Sequence, residues 1–315
     1  MPEHYLIPKR IARTAPTLSK FIAGIEASLL LCWTHLLRAL PPGVASRLAS
    51  SIFGFFGPSG DKGIKAERNL RIAFPDHNDH QINDLIKKTF QHLGLANVEL
   101  AQAERAWEQR ESRFEVQCED PEIEALLKPG RAAVLVTAHV GAWQYTVMLS
   151  TLLGLELTSL YAPESNPRIG SLLLRLRKAL RCNWISRDSS MRPLMKELSA
   201  GRCVGLVTDI RVDQGETLAF FGQPAATNVV PAKLALRYQC PLISVRCDRL
   251  PGHRYRLVLS KIFHPGPGDS ETQIRQMSSA LNREFESWIT RNPGQWLCLS
   301  RRWPKEIERG CANAK

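Results

Sequence analysis

The sequence predicts an α/β fold: a mainly parallel sheet flanked by helices on both faces, preceded by a helical, membrane-associating N-terminal extension. Three observations carry this expectation. From about residue 113 short apolar runs alternate with helical stretches, the rhythm of βαβ units. The runs at 132–138 and 203–208 are apolar without alternation, as strands buried on both faces are. Near the N-terminus a basic flank leads into an interrupted apolar segment.

That flank consists of Lys9, Arg10, Arg13 and Lys20, and the apolar segment covers 21–40. Glu26, His35 and Arg38 interrupt it, so it falls short of the roughly 18 clean apolar residues expected of a spanning helix. A basic amphipathic helix lying in the membrane interface fits these charges, with a buried core helix as the alternative. Helices follow over 61–74 and 78–108, the second carrying Leu85, Ile86, Phe90, Leu93 and Leu100 at helical spacing. Asn97 is the polar member of that stripe and reads as a hydrogen-bonded amide at the core's edge. Asn78 and Gln81 form a capping-box start after Pro75, which explains the polar run 76–80 without a metal. Beyond 113 the expected order is strand 132–138, helix 142–153, strand 157–161, helices 171–180 and 191–198, and strand 203–208. Helix 231–238, strand 242–246, an alternating strand at 255–259 and a closing helix over 270–290 complete it. No linker or repeat intervenes, so the organisation is a helical region over 1–112 and an α/β domain over 113–315.

Composition limits the function. The 315 residues carry 42 Lys+Arg against 30 Asp+Glu, a net charge of +12, with 44% hydrophobic and 23% charged residues. These figures exclude a disordered chain and a polytopic membrane protein. The charge favours a polyanionic neighbour: nucleic acid, an acidic carrier protein or an anionic membrane leaflet. Nucleic acid is set aside, because the aromatics are not interleaved with the basic residues and there is no helix-turn-helix or zinc module. The eight cysteines form no CxxC pair and none stands at zinc spacing from a histidine, so reduced thiols are expected and no metal site.

Chemistry concentrates where strands end. His139 follows the strand 132–138 and precedes a turn, Val140-Gly141, that opens a helix. Parallel sheets bind ligands at that edge. An imidazole there can act as a general base, and the amides of the turn and helix start favour an anion. Together these would suit acyl transfer to a hydroxyl, although a histidine ending a strand also serves purely structural roles.

The run Thr137-Ala-His139-Val-Gly141-Ala-Trp143-Gln144 resembles the His-x-x-x-x-Asp/Glu block of the lysophospholipid acyltransferase superfamily, and within it the branch of late lipid A acyltransferases. Further blocks agree in order: Tyr161-Ala-Pro-Glu-Ser-Asn166-Pro167, Arg175-Leu-Arg177, Gly205-Leu-Val-Thr-Asp209 and Phe220-Phe221-Gly222. The C-terminal block runs from Asn292-Pro293-Gly-Gln295-Trp296 to Arg301-Arg302-Trp303. The resemblance implies an enzyme at the cytoplasmic face of the inner membrane, held peripherally or by a single N-terminal anchor. It would move a fatty acyl group from acyl carrier protein or coenzyme A to a glycolipid or related lipid, with no cofactor beyond that co-substrate. His139, residue 144, Arg177 and Asp209 fall on catalytic positions. Gly141, Trp143, Asn166, Arg175, Arg187, Phe221 and Gly222 are then expected to bind substrate. On residue type alone Arg177 also fits an exposed basic helix face, and Asp209 a strand-end turn.

Two departures stand out. Gln144 occupies the carboxylate position, and Ser300 stands where the branch commonly has histidine. An amide orients an imidazole without stabilising its charge, and the comparable acid-to-amide change in serine proteases lowers turnover by about 10⁴. The site therefore works slowly, recruits another acid such as Glu164 or Asp209, or belongs to a silent lipid-binding paralogue.

Overall fold

The computed structural model describes residues 16–308. Lys9, Arg10, Arg13 and Cys311 lie outside the described residues. Seven strands form one sheet in the order β1-β9-β8-β2-β5-β3-β4. They are β1 (Phe114–Cys118), β2 (Val134–Thr137), β3 (Leu157–Tyr161), β4 (Asn183–Ser186), β5 (Cys203–Val207), β8 (Leu242–Leu250) and β9 (Arg254–Ile262). Every neighbouring pair is parallel except β8 and β9. β6 (Glu216–Phe220) and β7 (Gln223–Thr227) make a separate antiparallel hairpin.

Successive residues of the central strands face opposite sides of the sheet, and each side has its own core. Val134, Val136, Val204 and Leu206 join one core, which also takes Leu70, Ile82 and Phe90 from the N-terminal helices. Leu135, Cys203, Ile243 and Val245 join the other, with Tyr145, Leu172 and Leu176. The helices that matter for the site are α1 (Pro16–Ala39), α2 (Pro42–Phe56), α3 (Asp61–Ala73), α4 (Asp79–Ala101) and α5 (Pro167–Arg177), followed by α6 (Arg192–Ser199), α7 (Val230–Tyr238) and α8 (Ser270–Arg291). The capping box at Asn78 and Gln81 opens α4.

Several boundaries differ from expectation for physical reasons. The helix expected over 78–108 breaks at Gln102, whose amide turns aside to donate to the carbonyls of Leu37 (2.6 Å) and Leu40 (3.0 Å) at the end of α1. The helix expected over 142–153 is a 3-10 stretch, Trp143–Val147, followed by a short α-turn, Met148–Leu152. Its start is pinned to the sheet, because Ala142 N–H donates to the Cys247 carbonyl at 2.8 Å. α5 begins four residues early because the Asn166 side chain caps it and Pro167 takes the first helical position. β1, β4 and the β6–β7 hairpin carry weak apolar patterning and were not expected as strands.

Although Glu26, His35 and Arg38 interrupt the apolar run, α1 extends beyond it, and over Thr17–Ala39 it is by length and composition long and apolar enough to cross a membrane. Its two faces differ. Leu37 is buried and Glu26 takes a hydrogen bond from Asn166, whereas Leu18, Phe21, Ile25, Leu29 and Leu36 are exposed at three- to four-residue intervals, apart from the last gap of two turns.

Candidate active site

β2 and β5 are adjacent and parallel, with Thr137 paired to Val207. Two residues beyond each strand stand His139 and Asp209, so the sheet brings both side chains to one edge. His139 Nδ1 lies 2.7 Å from Asp209 Oδ1. The other carboxylate oxygen accepts from the Trp296 indole N–H at 3.0 Å. Burial alone would raise the Asp209 carboxyl, but the charge and hydrogen bond of His139, with help from Trp296, hold it below the ordinary range. An ionised carboxylate only accepts, so Nδ1 carries the proton, and in the neutral form of the imidazole Nε2 keeps its lone pair. Asp209 is sealed at 1% side-chain exposure while His139 keeps 24%.

Trp296 is held on both sides. Its backbone bridges to Val140, and Leu297 N–H donates to the His139 carbonyl at 2.8 Å. Its ring packs among Phe220, Phe221 and Trp303. The loop that orients the carboxylate therefore also clamps the backbone of the histidine.

His139 opens onto a cavity of about 920 Å³. Its walls are Leu93, Ala96 and Leu100 of α4, Val147, and Leu157 and Leu160 of β3. Arg177, Arg187, Arg211 and Lys233 also line it, against a single lining carboxylate, Asp213. The Arg177 guanidinium sits 5.8 Å from the Tyr161 ring and 5.9 Å from the Trp184 ring. Burial draws its pKa down against the opposing pull of Glu164 and Tyr161. Asn97 lines the cavity with its amide bonded to Leu93 at 2.9 Å.

The expected site residues divide in two. His139, Trp143, Gln144, Arg177 and Arg187 line the cavity, and Asp209 supports it from beneath. Gln144 is not the partner of His139. Its amide donates to the Ala96 carbonyl on α4 at 3.0 Å, and the acid facing the imidazole is Asp209. The remaining residues are placed by packing. Asn166 is buried, caps α5 and bonds Ala23 and Glu26, tying α1 to the α/β domain. Gly141 has a φ of +61°, and a Cβ there would meet the Cys247 carbonyl at 2.3 Å. Phe221 and Gly222, with φ of +49° and +70°, form the two-residue hairpin turn between β6 and β7. Arg175 is exposed on α5, outside the cavity. The turn amides expected to face an anion are also engaged: Val140 N–H with Ala138, and Ala142 N–H with Cys247.

One polar cluster gave no signal in the sequence. Behind Trp143, Arg249 grips Glu99 with two hydrogen bonds, of 2.6 and 2.9 Å, and donates to His92 Nδ1 at 2.8 Å. Glu99 keeps Arg249 charged against the pull of burial. Burial, then Arg249 and His139, push the His92 imidazole well below its ordinary pKa. Trp143 lies between the two histidines, its ring centroid 5.5 Å from each.

The sequence profile of the bacterial lipid A biosynthesis acyltransferases matches residues 14–305, nearly the whole chain. The chain belongs to that family. Among its curated relatives, a lipid A biosynthesis acyltransferase of Haemophilus influenzae is 24% identical over 273 residues, covering 84% of this chain and 83% of its own. A lipid A biosynthesis palmitoleoyltransferase of Escherichia coli is 26% identical over 250 residues, covering 76% and 77%. Membership in the lipid A acyltransferase family brings acyl transfer as the reaction class. By geometry alone, the His139–Asp209 pair can serve as a base, the apolar cavity can take a hydrocarbon chain, and Arg177 can meet an anion.

Proposed function

We propose that this chain transfers a fatty acyl group from an acyl carrier protein or coenzyme A thioester to a hydroxyl, or an amine, of a glycolipid of the lipid A type. The observation that carries the reading is the 2.7 Å His139–Asp209 hydrogen bond at the mouth of an apolar cavity. His139 Nε2 takes the acceptor's proton as its oxygen attacks the thioester carbonyl. Asp209 fixes the tautomer and stabilises the imidazolium as it forms. When the tetrahedral intermediate collapses, the C–S bond breaks, the C–O bond remains, and the imidazolium returns its proton to the departing thiolate. Arg177 steadies the anion that develops on the carbonyl oxygen, or a phosphate beside it. The apolar face of α1 holds the enzyme at the cytoplasmic face of the inner membrane, where acyl thioesters are made.

The silent-paralogue alternative rests on Gln144. The Asp209 carboxylate facing the imidazole supports the active reading, because it places a charge beside His139 that residue 144 does not carry.

Thiol release from an acyl thioester, in the presence of an under-acylated lipid A acceptor, tests the reading. Wild type should release thiol in step with acceptor acylation, and His139→Ala, with an unchanged melting temperature, should fall to background. Equal turnover in the two proteins would remove the assignment.

A further inference from the structure

We infer that the end of α2 and the start of α3 form a second membrane-docking site, additional to the exposed face of α1: an aromatic tip, followed along the chain by two exposed lysines, that inserts into an anionic bilayer. The inner face of α2, with Ala45, Ala49 and Gly54 buried, packs against α4. Its outer face carries Val44 and Ile52, and ends in Phe55 and Phe56 at 75% and 69% exposure. The two rings meet edge to face with centroids 4.9 Å apart, and exposed Ile64 on α3 extends the apolar patch in sequence. Large aromatics left this open on a folded chain mark a binding surface.

The platform beneath them is rigid. A Cβ at Gly54 would lie 2.6 Å from Gln91, one at Gly57 2.1 Å from Phe90, and one at Gly63 1.9 Å from the Pro58 carbonyl. The first two approaches seat the turn directly on α4 and the third closes the turn on itself, so the phenylalanines project from a packed base rather than a loose loop.

Charge selects the occupant. Lys62 and Lys65 are exposed and form no ion pair among the described residues, and exposed Arg68 stands a turn further on, 3.5 Å from Glu308. Asp61 is the exposed acid on this turn, and Glu67 is paired with Arg71. Protein interfaces are depleted in lysine, whereas exposed apolar side chains with lysines close by in sequence are the pattern of an interfacial membrane contact. Anionic lipid headgroups supply the complementary charge.

The test uses the full chain and sedimentation with vesicles of phosphatidylcholine alone or with phosphatidylglycerol. Phe55→Ser/Phe56→Ser should weaken binding to both vesicle types by at least about tenfold, the scale of two partly inserted rings. Lys62→Gln/Lys65→Gln should weaken binding about tenfold or more on phosphatidylglycerol vesicles and leave phosphatidylcholine binding unchanged. All four residues are surface-exposed, so both proteins should keep the wild-type melting temperature. Unchanged partition of the phenylalanine variant overturns the inference, as does a drop in its oligomeric state in detergent with vesicle binding intact, which would mark a protein interface. Turnover on a detergent-dispersed acceptor should be wild-type in both variants, so a failure here is distinct from a failure of the enzymatic reading.

Discussion

His139 and Asp209 are 70 residues apart in the chain, and that separation is the register of β2 on β5. Val134 pairs with Val204 and Thr137 with Val207, and each strand continues two residues to its functional side chain. Neither residue depends on a long loop for its place. In the proposed reaction, a base and acid set this close to the sheet need little reorganisation when charge develops on the imidazole.

Restoring a glutamate at position 144 should not help. In Gln144→Glu the carboxylate replaces an amide that donates to the Ala96 carbonyl at 3.0 Å, so a hydrogen bond is lost and two acceptors face each other. Turnover in the thioester assay should stay level or fall. A gain of about tenfold would mean that residue 144, not Asp209, governs the imidazole.

Arg177 should matter more to kcat than to KM. Its half-buried guanidinium lies between Tyr161 and Trp184, where an anion would gain strongly from it. Arg177→Lys keeps the charge but loses the planar fork. We expect kcat to fall by about 10²-fold, as when one donor to a developing oxyanion is removed. A change confined to KM would instead place Arg177 on a ground-state phosphate.

His92 gives the fold a defined response to acid. Its pKa in the folded chain lies below the ordinary 6.5, so the unfolded chain binds the extra proton. The stability tied to this group is full above about pH 6.5 and declines as pH falls from there towards the folded pKa, by at most about 1.4 kcal/mol per pH unit. His92→Gln keeps an acceptor for Arg249 and removes the titration. Denaturant midpoints measured from pH 7 to pH 5 should therefore fall less steeply in the variant, and parallel curves would contradict the prediction.

What could be read from the sequence follows from how local each signal is. β2 and β5 are continuous apolar runs at the centre of the sheet, and such strands announce themselves. β1 and β4 lie at the two edges, where Glu115, Gln117 and Asn183 break the pattern, and they emerge only through pairing. His139 and Arg177 were legible as candidates because each sits in a recognisable run, and both line the cavity. Spacing along the chain made Gln144 the neighbour of His139, but the turn after Gly141 carries that side chain to α4, and sheet register delivers Asp209 instead. Asn166, Phe221 and Gly222 belong to motif blocks whose physical content is a helix cap and a hairpin turn. The Glu99–Arg249–His92 cluster joins α4 to β8 across about 150 residues, and nothing local foretells it.

If Asp209 is the acid that makes His139 a base, Asp209→Asn shows it most directly. The amide keeps the size of the group and an acceptor for Trp296 but removes the charge that fixes the imidazole tautomer. Measured by thiol release under saturating acyl thioester, kcat should drop by about 10³- to 10⁴-fold with the melting temperature little changed. A variant that keeps kcat within a few-fold of wild type would contradict the account.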